Sequence, residues 1–365
     1  MLSRYRKLLD EARSTKLEIL SAWYSLFKMK QDPFMTPVPR ESIDYFVDRE
    51  DIVDDIIFDI GVASKGVPIV MLIVGATGSG KTAIFQYVAN VMEKLASEKP
   101  EDYSFKGLME STASLFESED EGEEIEVHRW VKISKQKLDY LLVDDAKPEH
   151  IKTLMREFTR TKLKVFAISP FHLDQIYAEL PVSPKIKFLQ PLSYPDNLAM
   201  LNKRMKKALA DENNNISLDS IFDEDALQLI HKFSMGIPHL SLKCASRSLR
   251  LAMDFKKSKV TSKLAEQACK VTKCYQAYHE FEKVGRMKME VIQKILGTGH
   301  TPTEISSLLQ KDRTTISRHL NELKELGLVE LTPRGRESVF RVTEPIYIKM
   351  ELMKYPSGEG EDASA

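Results

Sequence analysis

The residues with the clearest chemical potential are Gly75-Ala76-Thr77-Gly78-Ser79-Gly80-Lys81-Thr82, which fit the spacing G-x-x-x-x-G-K-[ST]. Glycines at these places let a backbone curl around an anion and aim its N–H groups inward, and a following helix adds its positive end. In such a loop Lys81 neutralises the β and γ phosphates of ATP, and the Thr82 hydroxyl ligates Mg²⁺. A second candidate is Tyr140-Leu141-Leu142-Val143, an apolar run that ends in the paired carboxylates Asp144 and Asp145. At the C-terminal edge of a parallel strand, where ligands bind, Asp144 would hold Mg²⁺ through a water. Asp145 would orient or deprotonate the water that attacks the γ-phosphate. Ser169, which ends a third apolar run, would place a hydroxyl near that phosphate; the competing reading is a strand-end serine capping the turn before Pro170.

These groups act together only if several strands deliver them to one edge. The run 68–74 is continuously apolar and of strand length, which suits a central parallel strand covered on both faces. Further strands are expected at 139–143 and 164–168, with helical spacing between them, so the fold class is α/β, a P-loop parallel sheet covered by helices. Leu20, Trp23, Tyr24 and Phe27 predict an amphipathic lead-in helix that stops before Asp32-Pro33. From Asp196 to Tyr278 the pattern is helical throughout. The segment 117–126 holds seven acids in ten residues and reads as a solvated surface loop.

Phe46-Val47-Asp48-Arg49-Glu50 resembles the box that precedes the first strand in archaeal initiator ATPases and STAND proteins, and Ser234-Met235-Gly236-Ile237-Pro238-His239 is similar to the Gly-x-Pro element of their helical lid. Together with the two phosphate-site motifs, the stretch from about 41 to 275 resembles the AAA+ and STAND branches of the P-loop ATPases. The resemblance implies a helical lid after the sheet, with Val47, Arg49 and Pro238 near the adenine, Ser169 at the sensor-1 place and ATP with Mg²⁺ as cofactors. The chain departs from the pattern at His239, where an arginine is usual, with Arg247 and Arg250 as substitutes. Where an arginine finger is usual, around 181–187, it has only Lys185 and Lys187, which lack the planar fork. The resemblance therefore implies nucleotide binding more firmly than turnover.

Residues 284–354 read as a winged helix. Met289, Val291, Ile292 and Ile295 mark a first helix ending near Gly297. Thr301-Pro302-Thr303-Glu304 fits a capped helix start, with Ile305, Leu308 and Leu309 on its buried face. Asp312 then caps a helix with an inner stripe of Ile316, Leu320, Leu323 and Leu326. Its polar face carries Arg313, Thr314, Thr315, Ser317, Arg318, His319 and Asn321, the place where recognition helices meet duplex DNA. Short strands at 328–331 and 339–342 flank a turn whose Arg334 and Arg336 suit backbone or minor-groove contacts. The run Thr315 to Leu323 resembles the MarR-like winged helix, which initiator ATPases place after their lid. Winged helices also serve as protein-contact modules, so a STAND-type switch that self-associates on ATP binding is the alternative. A transcription regulator with a degenerate ATPase core is a third reading.

The whole chain of 365 residues has a formal charge of −1, which by itself discourages a nucleic-acid reading. The charge is segregated: +6 over 240–283 and +3 over 284–354, with −3 over 355–365, leaves −7 on residues 1–239. The expected organisation is an N-terminal helix and linker to 40, an ATPase core 41–195, a lid 196–283, a winged helix 284–354 and an unstructured tail 355–365. The sequence has no apolar run long enough for a membrane span and no secretory leader pattern, so a cytoplasmic protein is expected. Cys244, Cys269 and Cys274 have no C-x-x-C spacing and read as buried thiols, and His300 and His319 as surface residues rather than metal ligands.

Overall fold

The computed structural model describes residues 26–34, 47–65, 69–101, 106–111, 114, 118–119, 127–128, 138–144, 165–169, 184–209, 216–296, 299–335 and 337–354. Leu20, Trp23, Tyr24, Phe46, Asp145, Gly297, Arg336, residues 120–126 of the acidic run and the tail from 355 lie outside them. The described residues divide into two compact units, 47–190 on one hand and 26–34 with 191–354 on the other.

The first unit is built on a five-stranded, all-parallel sheet in the order β2-β5-β6-β1-β7, comprising β1 Val70–Gly75, β2 Gly107–Ser111, β5 Tyr140–Asp144, β6 Val165–Ser169 and β7 Lys185–Leu189. Two-residue strands β3 Ser118–Glu119 and β4 Val127–His128 pair antiparallel, joining the ends of the acidic run. β1 has a neighbour on each side, and Val70 to Val74 are all buried, which is why its sequence is continuously apolar rather than alternating. Helices α1 Glu50–Ser64 and α2 Lys81–Glu98 add Ile56, Ile60, Ile84, Phe85 and Val88 to the same core. β7 is an edge strand with an alternating pattern. Its Lys185 and Lys187 pair with Asp59 and Asp55 of α1, so the lysines at the arginine-finger place are held by the unit's own carboxylates.

The second unit contains six lid helices, α3 Tyr194–Ala208, α4 Leu218–Ile221, α5 Glu224–Ser234, α6 Pro238–Asp254, α7 Ser262–Val271 and α8 Cys274–His279. Residues 26–34 dock on them: Lys30 N–H donates to the Ala208 carbonyl at 2.8 Å, and Asp32 accepts from Ser246 Oγ at 2.6 Å. The three cysteines are buried and unpaired. Between α5 and α6 the chain reverses through Met235 and Gly236, at φ of 56° and 69°. Leu192 N–H donates to the Gly236 carbonyl at 2.8 Å, and a Cβ on Gly236 would lie 2.5 Å from the Leu192 carbonyl oxygen. Only glycine satisfies both the positive φ and that approach.

The winged helix follows, with α9 Arg286–Lys294, α10 Pro302–Leu309, α11 Arg313–Glu325, the hairpin β8 Val329–Arg334 and β9 Glu337–Val342, and α12 Glu344–Lys354. The capping box is present on both sides: Glu304 N–H donates to Thr301 Oγ1 at 3.2 Å, and Thr301 N–H to Glu304 Oε2 at 2.6 Å. Ile305, Ile316, Leu320 and Leu323 are fully buried, as expected. Leu308 and Leu326 are not, being 53% and 36% exposed. Leu308 lies off the Ile305–Leu309 line of a two-turn helix, and Leu326 falls beyond the last residue of α11. The hairpin is longer than the sequence suggests, since Arg334 still pairs with Glu337. Among the described residues no helix is long and apolar enough to cross a membrane, and no cluster of His, Cys, Asp and Glu is arranged to hold a metal.

Replacing Gly236 by Ala forces a side chain into the Leu192 carbonyl at a left-handed position, and we expect a loss of more than about 1 kcal/mol. Thermal unfolding of the full chain followed by circular dichroism checks this; an unchanged midpoint would contradict the close approach.

Candidate functional site

β1 delivers the glycine-rich loop to the C-terminal edge of the sheet, and α2 leaves it at Lys81. Gly80 is the N-cap of α2, at φ 104°, and no side chain caps the helix. Nothing lies within 4 Å of where a Gly80 Cβ would project. The first-turn N–H groups of an α-helix have no partners within the helix, so this end favours an anion. Lys81 folds back over the loop, its Nζ donating to the carbonyls of Gly75 at 2.6 Å and Ala76 at 3.0 Å. Ser79 N–H closes a turn onto the Ala76 carbonyl at 3.0 Å. Its Oγ is buried with no hydrogen-bond partner among the described residues. Thr82 Oγ1 donates to Asp144 Oδ1 at 3.1 Å, which joins the helix start to the end of β5. A hydroxyl and a carboxylate meeting beside a lysine is the donor set that a hard divalent cation on a phosphate requires. The loop, its orphaned serine hydroxyl and this pair thus fit a Mg²⁺-nucleotide.

Of the other expected groups, Ser169 ends β6 with its backbone in register with Val74 of β1, beside the loop. Asp145 lies outside the described residues. Val47 and Arg49 lead into α1 of the same unit. The Arg49 guanidinium donates to the Gln190 carbonyl and pairs with Asp48 at 3.3 Å. Asp48 and Arg49 both have positive φ, 62° and 78°, an uncommon pairing for residues with a Cβ. Pro238 is the first residue of α6, in the other unit. His239, at the place of the missing lid arginine, has its Nε2 3.0 Å from Glu344 of α12. Lys243 meets the same carboxylate at 2.5 Å, so α6 is tied to the winged helix. The role of α12 had no signal in the sequence, because its pattern lacks a clean apolar stripe.

In the winged helix Asp312 Oδ2 accepts from Thr315 N–H at 3.0 Å and starts α11 at Arg313. Arg313, Thr314 and Arg318 are exposed on its face, while Thr315 and Ser317 are half-buried. Arg318 reaches Glu322 only at 3.9 Å, a loose pairing that leaves 66% of its side chain exposed. Arg334 is more constrained: its Nη2 donates to Glu304 Oε1 at 2.7 Å and its Nη1 to the Gly299 carbonyl at 3.3 Å. It therefore braces the hairpin against α10, and the guanidinium could meet DNA only by sharing or exchanging these partners. Arg336 lies outside the described residues.

Residues 292–332 match a family described as a helix-turn-helix domain. An uncharacterised HTH-type transcriptional regulator of Methanocaldococcus jannaschii is 23% identical over 196 residues, which is 53% of this chain and 44% of that protein. The matched part thus spans less than half the length of that curated relative. Among solved structures, the Aeropyrum pernix ORC1 protein in complex with DNA superposes with a TM-score of 0.52 at 14% identity, over 90% of this chain and 97% of that one. The ADP form of the A. pernix ORC2 protein gives 0.50 at 15% identity, over 91% and 100%. The chain has the AAA+ fold with a C-terminal winged helix. At such identity the likeness concerns architecture, and the chemistry must be argued from this chain's own residues.

Two carboxylates hold the winged helix through charge. The Glu304 carboxyl falls from its ordinary 4.5 to about 2, chiefly through the Thr301 backbone N–H and then Arg334. Glu344 also falls from 4.5 to about 2, through His239 first and Lys243 after it. A depressed folded pKa contributes stability that is complete above the unfolded value and is lost as pH falls through the folded one. We expect winged-helix stability to decline between about pH 4.5 and 2, and Glu304→Gln with Glu344→Gln to lower stability at neutral pH while flattening that decline. Melting curves of both proteins across that range check this; parallel pH profiles would contradict it.

Proposed function

We propose that the chain is an ATP-binding switch whose nucleotide state governs how its winged helix binds double-stranded DNA. The observation that carries this reading is the meeting of Thr82 Oγ1 with Asp144 at the uncapped start of α2, beside Lys81. Together with the open polar face of α11, it supports a nucleotide-binding half and a DNA-binding half in one chain. Bound Mg²⁺-ATP would supply a transferable γ-phosphoryl group and the charge that organises the loop.

The chain's own residues have separable tasks. Lys81, which here caps the Gly75 and Ala76 carbonyls, would bind the phosphates together with the N–H groups at the start of α2. Thr82 and Asp144 would hold the cation, Asp145 would orient the attacking water, and Ser169 would lie near the γ-phosphate. The finger place holds only lysines, both paired with α1, so slow hydrolysis is the expected activity. On α11, Arg313, Thr314, Thr315, Ser317 and Arg318 face duplex DNA, with Arg334 and Arg336 at the hairpin tip for its backbone or minor groove. A cytoplasmic setting accords with both partners.

A STAND-type signalling switch is favoured by one observation, the tie of His239 and Lys243 to Glu344, which engages the winged helix with a protein surface. Light scattering with ATP separates the two readings: assembly without DNA affinity would support the second.

Lys81→Ala is expected to abolish ATP binding in a fluorescent-nucleotide titration, and retained affinity would remove the loop from the mechanism. Duplex affinity measured with ATP, with ADP and without nucleotide should differ, and identical values would sink the coupling. Arg313→Ala with Arg318→Ala should weaken duplex binding and make log K less steep in log salt by about one unit for each phosphate that the arginines neutralise. An unchanged slope would place DNA elsewhere.

A further inference from the structure

Helix α6 carries Lys243, Ser246, Arg247 and Arg250 at i, i+3, i+4 and i+7, so they share one face. That face forms one wall of an open cleft of roughly 600 Å³. The other walls are the end of α7, Glu330 on β8, and the start of α12. The cleft therefore lies where the lid meets the winged helix, wholly inside one of the two compact units.

Three of its four cations are matched: Lys243 by Glu344 at 2.5 Å, Lys273 by Glu330 at 2.7 Å, and Arg250 by Asp32 at 3.2 Å. Arg247 stands between them on the helix face. Its Nε is sealed from solvent with no hydrogen-bond partner among the described residues, and no carboxylate there pairs with it. Arg247 itself is half-buried and lines the cleft, so the rest of its guanidinium meets the opening, and a planar guanidinium fits an oxyanion such as phosphate. Lys243 and Lys273 each have three donor hydrogens and one carboxylate partner, so donors remain on both for the same anion. Phe34, Val271 and Pro345 add apolar wall for the body of a ligand. The volume lies within the range of small-molecule pockets, roughly 300–1,000 Å³. The carboxylates of Glu330 and Glu344 stand among the cations, which disfavours a long polyanion such as DNA and suits a compact monoester.

We propose that this cleft binds a small phosphorylated molecule, with Arg247 gripping the phosphate and Lys243 and Lys273 flanking it. A ligand there touches α6 of the lid together with β8 and α12 of the winged helix, so binding stiffens their junction. None of its residues belongs to the glycine-rich loop, so the proposal stands whether or not that loop binds ATP.

The test uses the full chain carrying Lys81→Ala, which removes the loop's contribution, and calorimetric titration with inorganic phosphate, glucose 6-phosphate and glucose. Saturable one-site binding of both phosphates, none of glucose, and at least a tenfold weakening by Arg247→Gln are expected. Arg247→Lys should recover part of the affinity, and the melting midpoint of each variant shows that it remains folded. Absence of saturable binding by either phosphate overturns the proposal, as does full affinity in a folded Arg247→Gln. A further overturning result is a variant that weakens only duplex binding, which would give the cleft to the DNA backbone.

Discussion

Helix α2 begins at Gly80 without any side chain to cap it, and its first N–H groups look out over a loop bent by glycine. Almost everything in the first unit bears on that end. β1 is buried on both faces and so cannot shift, and β6 and β7 hold it from either side. β5 brings Asp144 to within 3.1 Å of Thr82, the second residue of the helix. Lys81 covers the loop's carbonyls through two hydrogen bonds that a phosphate can replace. The sheet is in effect a rigid mount for an uncapped helix end, and rigidity matters because preorganised dipoles act on charge without reorganising.

The second unit works by a different means. Charge ties its parts: Glu344 of α12 takes both His239 and Lys243 of α6, Glu330 of β8 takes Lys273, and Glu282 takes Lys349 at 2.9 Å. Such partly exposed pairs contribute little stability one by one, and they join the lid helices to the winged helix at several points. The segment sums already subtract these carboxylates, so pairing leaves the excess unchanged and decides only which cations keep a partner; Arg318 is held loosely, and Arg247 Nε has none among the described residues. Free charge is thus more local than the segment sums imply.

Legibility followed how local each signal was. The glycine-rich loop and the capping box at Thr301 and Glu304 are complete within eight residues or fewer, and both are present as read. The runs of β1 and β5 were visible because burial on both faces removes polar residues, and β6 was legible as an apolar run of the same length. β2 and β7 were missed because edge strands keep alternating or polar residues, as in Lys185-Ile186-Lys187. Leu308 and Leu326 show the limit of counting apolar residues on a short helix, where one step of 100° moves a side chain off the core. Arg334 had a plausible DNA role from its place at a hairpin tip, yet the fold also gives it Glu304 as a partner thirty residues away.

By itself the sequence determined the local chemistry: which loop can cradle a phosphate, which carboxylate ends a buried strand, which helix presents arginines and which residue caps it. Each depends on neighbours within a turn or a strand, where spacing and residue type dictate geometry. Tertiary structure alone decided the partnerships. It closed Thr82 onto Asp144, engaged His239 with Glu344 in place of a free lid arginine, and left Arg247 Nε without a partner beside a cleft inside the second unit. These are pairings between residues 62 and more positions apart, or the want of one, and whether two charges meet depends on packing that no local pattern encodes.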